Sequence, residues 1–339
     1  MSATRVDVPE PAHVRSVGIV VAAFNAAPFI AATLASIEAQ TFAAWRCVVV
    51  DDGSSDDTAG SARAFAERDS RFELIVTTNG GHCRARNIGI GAHGSDVDAI
   101  TVMDADDVWT ADALEILVER IAARPDCIGA HGLGEFIDAK GVEIAGGEFA
   151  AYGRARRSGA SGRLREWPID ADTSFETLVS ASTVFPPGLV LMRRGVYDAI
   201  GGYDPRSVEG DWDLLLRATR LGPLAFIDRV IIGYRRHGEN FGARREIPRL
   251  VYLTLVRAHE SPLNSPQQRQ TLRASWRAAQ IEAMQRHRAA LATAPSLSGR
   301  VVAALRLAVA GARYLRGRPR RPLRSQIRRA AGLRADSEP

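Results

Sequence analysis

The stretch Cys47-Val48-Val49-Val50-Asp51-Asp52-Gly53-Ser54-Ser55-Asp56-Asp57 passes directly from a short apolar run into an acidic turn. A run this short, rich in β-branched residues and bounded by turn residues, reads as a strand buried on both faces. A helix follows to about Arg68, and Leu74 to Val76 is the next strand. The same unit stands upstream. Val17 to Phe24 is a continuous apolar run ended by Asn25, Pro28 suits a first helical position, and Phe29, Ile30, Leu34 and Ile37 recur at helical spacing. Downstream, a helix over about Ala85 to Ala92 precedes the strand Ala99 to Met103. Short apolar strands alternating with helices predict an α/β fold, with a mostly parallel central sheet and flanking helices.

In such sheets ligands bind beyond the carboxyl ends of the strands. Three of those ends are polar or acidic: Asn25, the Asp51-Asp52 pair, and Asp104-Ala105-Asp106-Asp107. Farther on, Leu114 to Ala123 reads as a helix, and the periodicity then loosens between about Gly129 and Thr173. A long, weakly periodic segment inside a compact domain reads as a functional loop or lid, and acceptor-facing elements are expected there. Pattern returns with a strand at Pro187 to Met192, a helix at Asp211 to Leu221 and a strand at Leu224 to Tyr234. Beyond Ile247 the chain reads as helical. There is no internal repeat.

With 339 residues, 46% of them hydrophobic, the chain can bury a sizeable core. Cys47, Cys83 and Cys127 lack a metal-ligand spacing and read as buried thiols. No apolar stretch reaches the ~20 residues a membrane-spanning helix needs. Met1 to Ser16 contains no apolar run of the secretory kind, so a cytoplasmic location is expected. The formal net charge is +5, yet eleven arginines and no acidic residue fall between 300 and 334, so the rest of the chain is acidic on balance. This arginine-rich tail fits the inner face of an anionic membrane, a protein partner or plain solvent. Arg306 and Arg313 share a helical face with Val302 and Val309, which blurs its amphipathicity, and no aromatic pattern indicates nucleic acid.

Two acidic turns carry the chemistry. Three carboxylates within Asp104 to Asp107 repel one another unless solvated or neutralised, and hard oxygen ligands at a strand end suit Mg²⁺ or Mn²⁺. A plainer reading makes Asp107 a helix N-cap and leaves the others in water. In the Asp51 to Thr58 turn, Gly53 permits a sharp bend and an aspartate can accept from a nucleobase N–H or a ribose hydroxyl. Asp56 or Asp57 reads as a helix cap.

The order of the motifs resolves these choices. Val20 to Asn25, Ser36 to Phe42, Val48 to Thr58, Asn79-Gly80-Gly81 with Ala85-Arg86-Asn87, and Val102 to Trp109 occur in sequence. Gly201-Gly202-Tyr203-Asp204, Glu209 to Arg217 and Tyr234-Arg235-Arg236-His237 follow. Together they resemble bacterial family 2 glycosyltransferases of the Rossmann-like GT-A fold, over about residues 16 to 242. The resemblance implies a flexible N-terminus over 1–15, a nucleotide-sugar-binding half over 16–110 and an acceptor-binding half over 111–245. A helical C-terminal region with the arginine-rich tail completes the chain over 246–339.

The resemblance also implies site roles. Ala23, Phe24 and Asn25 would pack around the donor nucleotide, Asp51 would contact its base, and Arg86 would sit by the nucleotide or its diphosphate. Asp104 would touch ribose and metal, and Asp106 would be the main ligand of a divalent Mn²⁺ or Mg²⁺. For Arg86, an ion pair with one of these aspartates is the structural alternative. His237 is a candidate to complete the metal sphere. Asp211 would be the catalytic base, although the family usually places an acid before it and this chain has Gly210; Glu209 or Asp213 are the alternatives. The implied activity is inverting transfer from a nucleotide-sugar donor to an acceptor hydroxyl, on a saccharide or lipid-linked saccharide of surface-polysaccharide synthesis. Without Gln-x-x-Arg-Trp or membrane helices, single addition is expected. A non-catalytic nucleotide-sugar binder or membrane scaffold is the rival reading. A nucleotidyltransferase would want a glycine-rich basic loop where Ala22 to Ala27 stands.

Overall fold

The computed structural model describes residues 13–144, 170–180, 182–207, 210–237, 247–294 and 296–319. Its first half alternates strand and helix: β1 Val17–Ala23, α1 Ile30–Glu38, β2 Trp45–Asp51, α2 Thr58–Arg68, β3 Phe72–Val76, α3 His82–Ala92 and β4 Ala99–Asp104. The second half holds β5 Val108–Trp109, α4 Ala113–Ala123, β6 Gly129–Ile137, α5 Phe175–Ser180, β7 Val190–Arg193, α6 Arg194–Ile200, α7 Gly210–Ala218 and β8 Leu224–Arg235. Three helices close the described chain: α8 Ile247–Glu260, α9 Pro266–Thr293 and α10 Leu297–Arg316.

All eight strands form one sheet in the order β3-β2-β1-β4-β7-β6-β8-β5. The first four are parallel, as the alternation predicts. β1, β2 and β4 are largely buried on both faces, with Ile19 of β1 and Ile30, Leu34 and Ile37 of α1 fully excluded from water, whereas Glu73 and Val76 of the edge strand β3 are exposed. Each fully excluded side chain contributes about 1.5–3 kcal/mol of transfer free energy. The sheet reverses at β7, which runs against both β4 and β6. β6 and β8 are parallel again, and β5 closes the edge antiparallel to β8.

The structure corrects several expectations. Phe24 lies beyond β1, 52% exposed, and Pro28 precedes α1, whose N-cap is Phe29. The expected strand from Pro187 is a single 3-10 turn, Pro187–Leu189, before β7 begins. The larger correction is β6, a nine-residue strand inside the sheet where the sequence reads as loop. Its glycines make close approach possible: a Cβ on Gly129 would stand 2.4 Å from the Leu191 carbonyl, and one on Gly132 2.8 Å from Ile231. Glycine inside a strand commonly marks such an approach. Residues 145–169, the rest of the expected lid, lie outside the described residues.

The C-terminal helices have clear starts. At α9, Ser265 Oγ accepts from the Gln268 N–H while Gln268 returns a hydrogen bond to the Ser265 N–H, with Pro266 in the first turn. At α10, Ser296 Oγ accepts from the Gly299 N–H at 3.1 Å. Three side-chain-to-backbone bonds then form a chain from α10 to α7, of which the Ser275 bond ties the C-terminal helices to the sheet domain. Trp276 Nε1 of α9 donates to the Arg313 carbonyl of α10, Ser275 Oγ to Val179 of α5, and Trp212 Nε1 of α7 to Leu178 of α5.

Candidate active site

Register places the first residues of the site. Ala23 of β1 pairs with Asp51 of β2, and Ala22 with Asp104 of β4, so both carboxylates sit at carboxyl ends one strand either side of β1. Two strand spacings separate them, about 10 Å. Asp51 is 2% exposed, and its carboxylate accepts from the Ser54 N–H at 3.2 Å and from the Ser54 hydroxyl. That hydroxyl accepts in turn from the Asn25 N–H. Asn25 takes a left-handed φ of 51°, and its Oδ1 accepts from the Ser55 N–H at 2.9 Å. Asp52 ties in the next loop, accepting from the Gly80 and Gly81 N–H groups at 2.9 and 2.7 Å. The N-cap of α2 is Asp57, whose side chain makes no capping bond, while Asp56, one residue earlier, accepts from the N–H groups of Thr58 and Ala27.

Beyond β4, Asp104, Asp106 and Asp107 each offer an oxygen within 4.8 Å of the others. Burial raises the pKa of all three, and the neighbouring aspartates raise those of Asp106 and Asp107 further. Asp107 caps no helix. Its Oδ1 accepts from the Arg235 N–H at 2.9 Å, joining the turn to the end of β8. Its buried Oδ2 has no hydrogen-bond partner among the described residues. His237, two residues beyond β8, brings Nε2 to 2.9 Å from Asp106 Oδ2, its ring 4.6 Å from that of Phe29. An orphaned carboxylate oxygen and crowded like charges beside an imidazole are what a divalent cation would neutralise, so the donor set fits one.

The third group links the two halves. Arg86 projects from α3 with its side chain 5% exposed, between Asp104 (NH2 to Oδ1, 2.7 Å) and Asp211 (NH1 to Oδ1, 2.9 Å). Arg86 therefore forms ion pairs with two aspartates rather than one. Burial opposes its charge, but the two carboxylates outweigh this and hold its pKa well above the usual value. Asp211 lies in the first turn of α7, where the helix dipole favours an anion. Asp213 instead pairs with Arg217 at 2.9 Å, and Glu209 lies outside the described residues.

Two residues without an assigned role complete this group. Tyr203 donates its hydroxyl to Asp211 Oδ1 at 3.1 Å. Its backbone is clamped by Asn87, whose amide both donates to the Tyr203 carbonyl and accepts from its N–H, each at 2.8 Å. The clamp needs Gly202, at φ 66°, because a Cβ there would stand 2.6 Å from Asn87 Oδ1. The Gly-Gly-Tyr run was the only sequence signal for this tyrosine. Gly210 is explained by packing: a Cβ there would meet Cys83 Sγ of α3 at 2.7 Å and Tyr203 at 3.2 Å. The departure from the family pattern thus reflects α7 pressed against α3.

Among the residues expected at the site, Arg86, Asp104 and Asp211 are joined directly, and Asp106 and His237 form a second pair. Asn25 and Asp51 share the Ser54 turn, Ala23 is buried beside it, and Phe24 stands at the rim.

A twisted, mostly parallel sheet with a reversed strand at its middle and an acidic turn beyond β4 is the GT-A glycosyltransferase architecture. Solved structures agree. S. aureus TarS 1-349 in complex with UDP-GlcNAc superposes with a TM-score of 0.59 at 15% identity, over 94% of this chain and 83% of that one. The mannosyltransferase PcManGT from Pyrobaculum calidifontis, in complex with GDP-Man and Mn²⁺, gives 0.56 at 19% identity, over 96% and 86%. The sequence family described as glycosyl transferase family 2 matches residues 18–201. The chain belongs to that family. An uncharacterized glycosyltransferase of Haemophilus influenzae is 26% identical over 226 residues, 66% of either chain. The Escherichia coli β-1,3-glucosyltransferase WfgD, whose name gives a UDP-Glc donor and a GlcNAc-diphosphoundecaprenol acceptor, is 36% identical over 104 residues, 30% of this chain and 39% of its own. The match thus spans no more than about two thirds of these relatives' length.

Proposed function

We propose that this protein transfers a single sugar from a nucleotide-activated donor to an acceptor hydroxyl, inverting the anomeric centre. The observation that carries this reading is the Arg86 bridge, which sets Asp211 one side chain away from Asp104. The half over 16–110 binds the donor: the Ala23-Phe24-Asn25 turn packs around the nucleotide and Asp51 accepts from its base. Asp104 contacts the ribose. The half over 111–245 receives the acceptor, a saccharide or lipid-linked saccharide of cell-surface polysaccharide synthesis. The acceptor in WfgD's name supports a lipid-linked saccharide, and the Rhizobium meliloti succinoglycan biosynthesis protein ExoW, 40% identical over 85 residues, supports a setting in polysaccharide synthesis.

Asp106 and Asp104, with His237 beside them, would hold Mn²⁺ or Mg²⁺. A divalent cation bound there supplies charge neutralisation to the leaving diphosphate. The chain's own residues do the rest. Asp211 Oδ1 is held by Arg86 and Tyr203, which leaves Oδ2 to take the proton of the acceptor hydroxyl as its oxygen bonds to the anomeric carbon. The bond to the diphosphate breaks on the opposite face, its electron pair leaving with the nucleoside diphosphate. Arg86 is a fixed cation beside that developing charge.

Calorimetric titration of UDP, GDP and dTDP, with and without Mn²⁺, tests the donor site. One nucleotide is expected to bind with metal and to lose that binding in Asp106→Ala. Binding of none would favour the non-catalytic scaffold reading.

A further inference from the structure

Six of the twelve exposed large apolar side chains among the described residues lie on the last helix: Leu297, Val301, Val302, Leu305, Val309 and Leu315, between 45% and 80% exposed. A helix turns by about 100° per residue, which gathers these six into one arc of roughly 140°. The opposite side carries the contact with α9, where Ala303 and Ala310 are buried and Leu307 and Tyr314 half-buried. α10 therefore has two apolar sides, a small-residue one against α9 and a larger one facing outward.

Charge brackets the outward side. On the same wheel, Arg306 and Arg313 line one rim, Arg300 lies beyond the other, and Arg316 falls within the stripe at its C-terminal end. All four are exposed. The arginines that blur the amphipathicity in sequence thus stand at the border of the stripe, and the small alanine positions are the ones turned inward. No helix among the described residues is long and apolar enough to cross a membrane.

We propose that the outward face of α10 is a docking surface for an anionic lipid bilayer, with the helix lying in the interfacial plane. Its aliphatic side chains would enter the acyl boundary and the rim arginines would meet lipid phosphates. Charge complementarity selects this occupant. A second copy docked symmetrically on the same face would set arginine rim against arginine rim, with no acidic residue between 300 and 334 to pair them. The docked helix is also linked to the site. Trp276, Ser275 and Trp212 connect α10 through α9 and α5 to α7, which bears Asp211. The surface stands without the glycosyl-transfer reading, because its test needs no substrate.

The experiment is co-sedimentation of the full chain with vesicles of phosphatidylcholine alone and of phosphatidylcholine mixed with phosphatidylglycerol, at low and high salt. Binding only to the anionic vesicles, weakened by salt, is expected. The Arg306→Gln/Arg313→Gln variant should bind on the order of tenfold or more weakly. A Val301→Ser/Leu305→Ser variant should lose a comparable factor while its thermal midpoint and vesicle-free mass stay unchanged, since both sites are solvent-facing. Equal binding to neutral vesicles, or none to either kind, overturns the proposal. So does anionic binding that survives the serine substitutions, which assigns it to charge alone. A vesicle-free dimer dissolved by those substitutions overturns it in favour of a second copy.

Discussion

The strands β1 to β4 and the strands β6 to β8 belong to one sheet but are built from different material. The former are valine- and isoleucine-rich and pair in unbroken parallel register. The latter pair β6 with β8 through two register irregularities, and β6 has glycine at three of nine positions. In the first region side chains fill the space between layers. In the second, backbone approaches backbone and side chains are removed to allow it. Close-packed glycines occur in both regions, since a Cβ on Gly18 of β1 would stand 2.9 Å from His93 and one on Gly89 of α3 2.3 Å from Val20, but only β6 gathers three glycines in one strand.

This contrast can be broken or sharpened by experiment. The largest effect separates the two functional halves. Asp211→Asn should lower turnover by at least about a hundredfold while leaving nucleoside diphosphate affinity within error, as steady-state kinetics and calorimetry would measure; near-normal turnover removes Asp211 as the base. Next is glycine to alanine in each half. Gly129→Ala should cost about 1–3 kcal/mol in urea unfolding because its Cβ meets the Leu191 carbonyl. Gly91→Ala on α3, where nothing lies within 4 Å, should instead gain about 0.5–1 kcal/mol. Equal signs would undo the distinction. The smallest effect is a pH slope. Burial pushes the His259 pKa down to about 4, from an ordinary value near 6.5. The neutral form is thus favoured in the fold, and the unfolded chain takes up the extra proton. This stability is fully present above about pH 6.5 and is lost as pH falls towards 4. The thermal midpoint should drop between those values, with a shallower slope in His259→Phe.

The sequence made the first half legible because three of its four strands lead into a residue that chemistry singles out. Asn25, Asp51 and Asp104 are polar where an apolar run stops, and register sets Asp51 and Asp104 one strand either side of β1. β6 was hidden because its hydrophobic signal is diluted by Gly129, Gly132 and Gly134, whose value appears only once β7 and β8 are beside it. The site divides in the same way. Arg86, Asp106, Asp211 and His237 could be named from motif order, but the bridge through Arg86 joins residues 18 and 125 positions away from it, a distance that no local pattern encodes. Tyr203 went without a role because its hydroxyl reaches Asp211 only when Asn87, 116 positions away on α3, clamps the Tyr203 backbone.

The packing of Gly210 against Cys83 also limits the routes by which this sequence can change. A side chain at 210 would place its Cβ 2.7 Å from the Cys83 sulfur, 3.2 Å from Tyr203 and 3.3 Å from His82, so an acid there requires the surroundings to shift. Residue 83 must first shrink, or α7 must move and carry Asp211 with it. The two positions therefore form an ordered pair of mutational steps: a lineage with an acid before its base should carry a smaller residue at 83, acquired earlier. For this chain, Gly210 is a ratchet that keeps Asp211, the proposed base, where it stands.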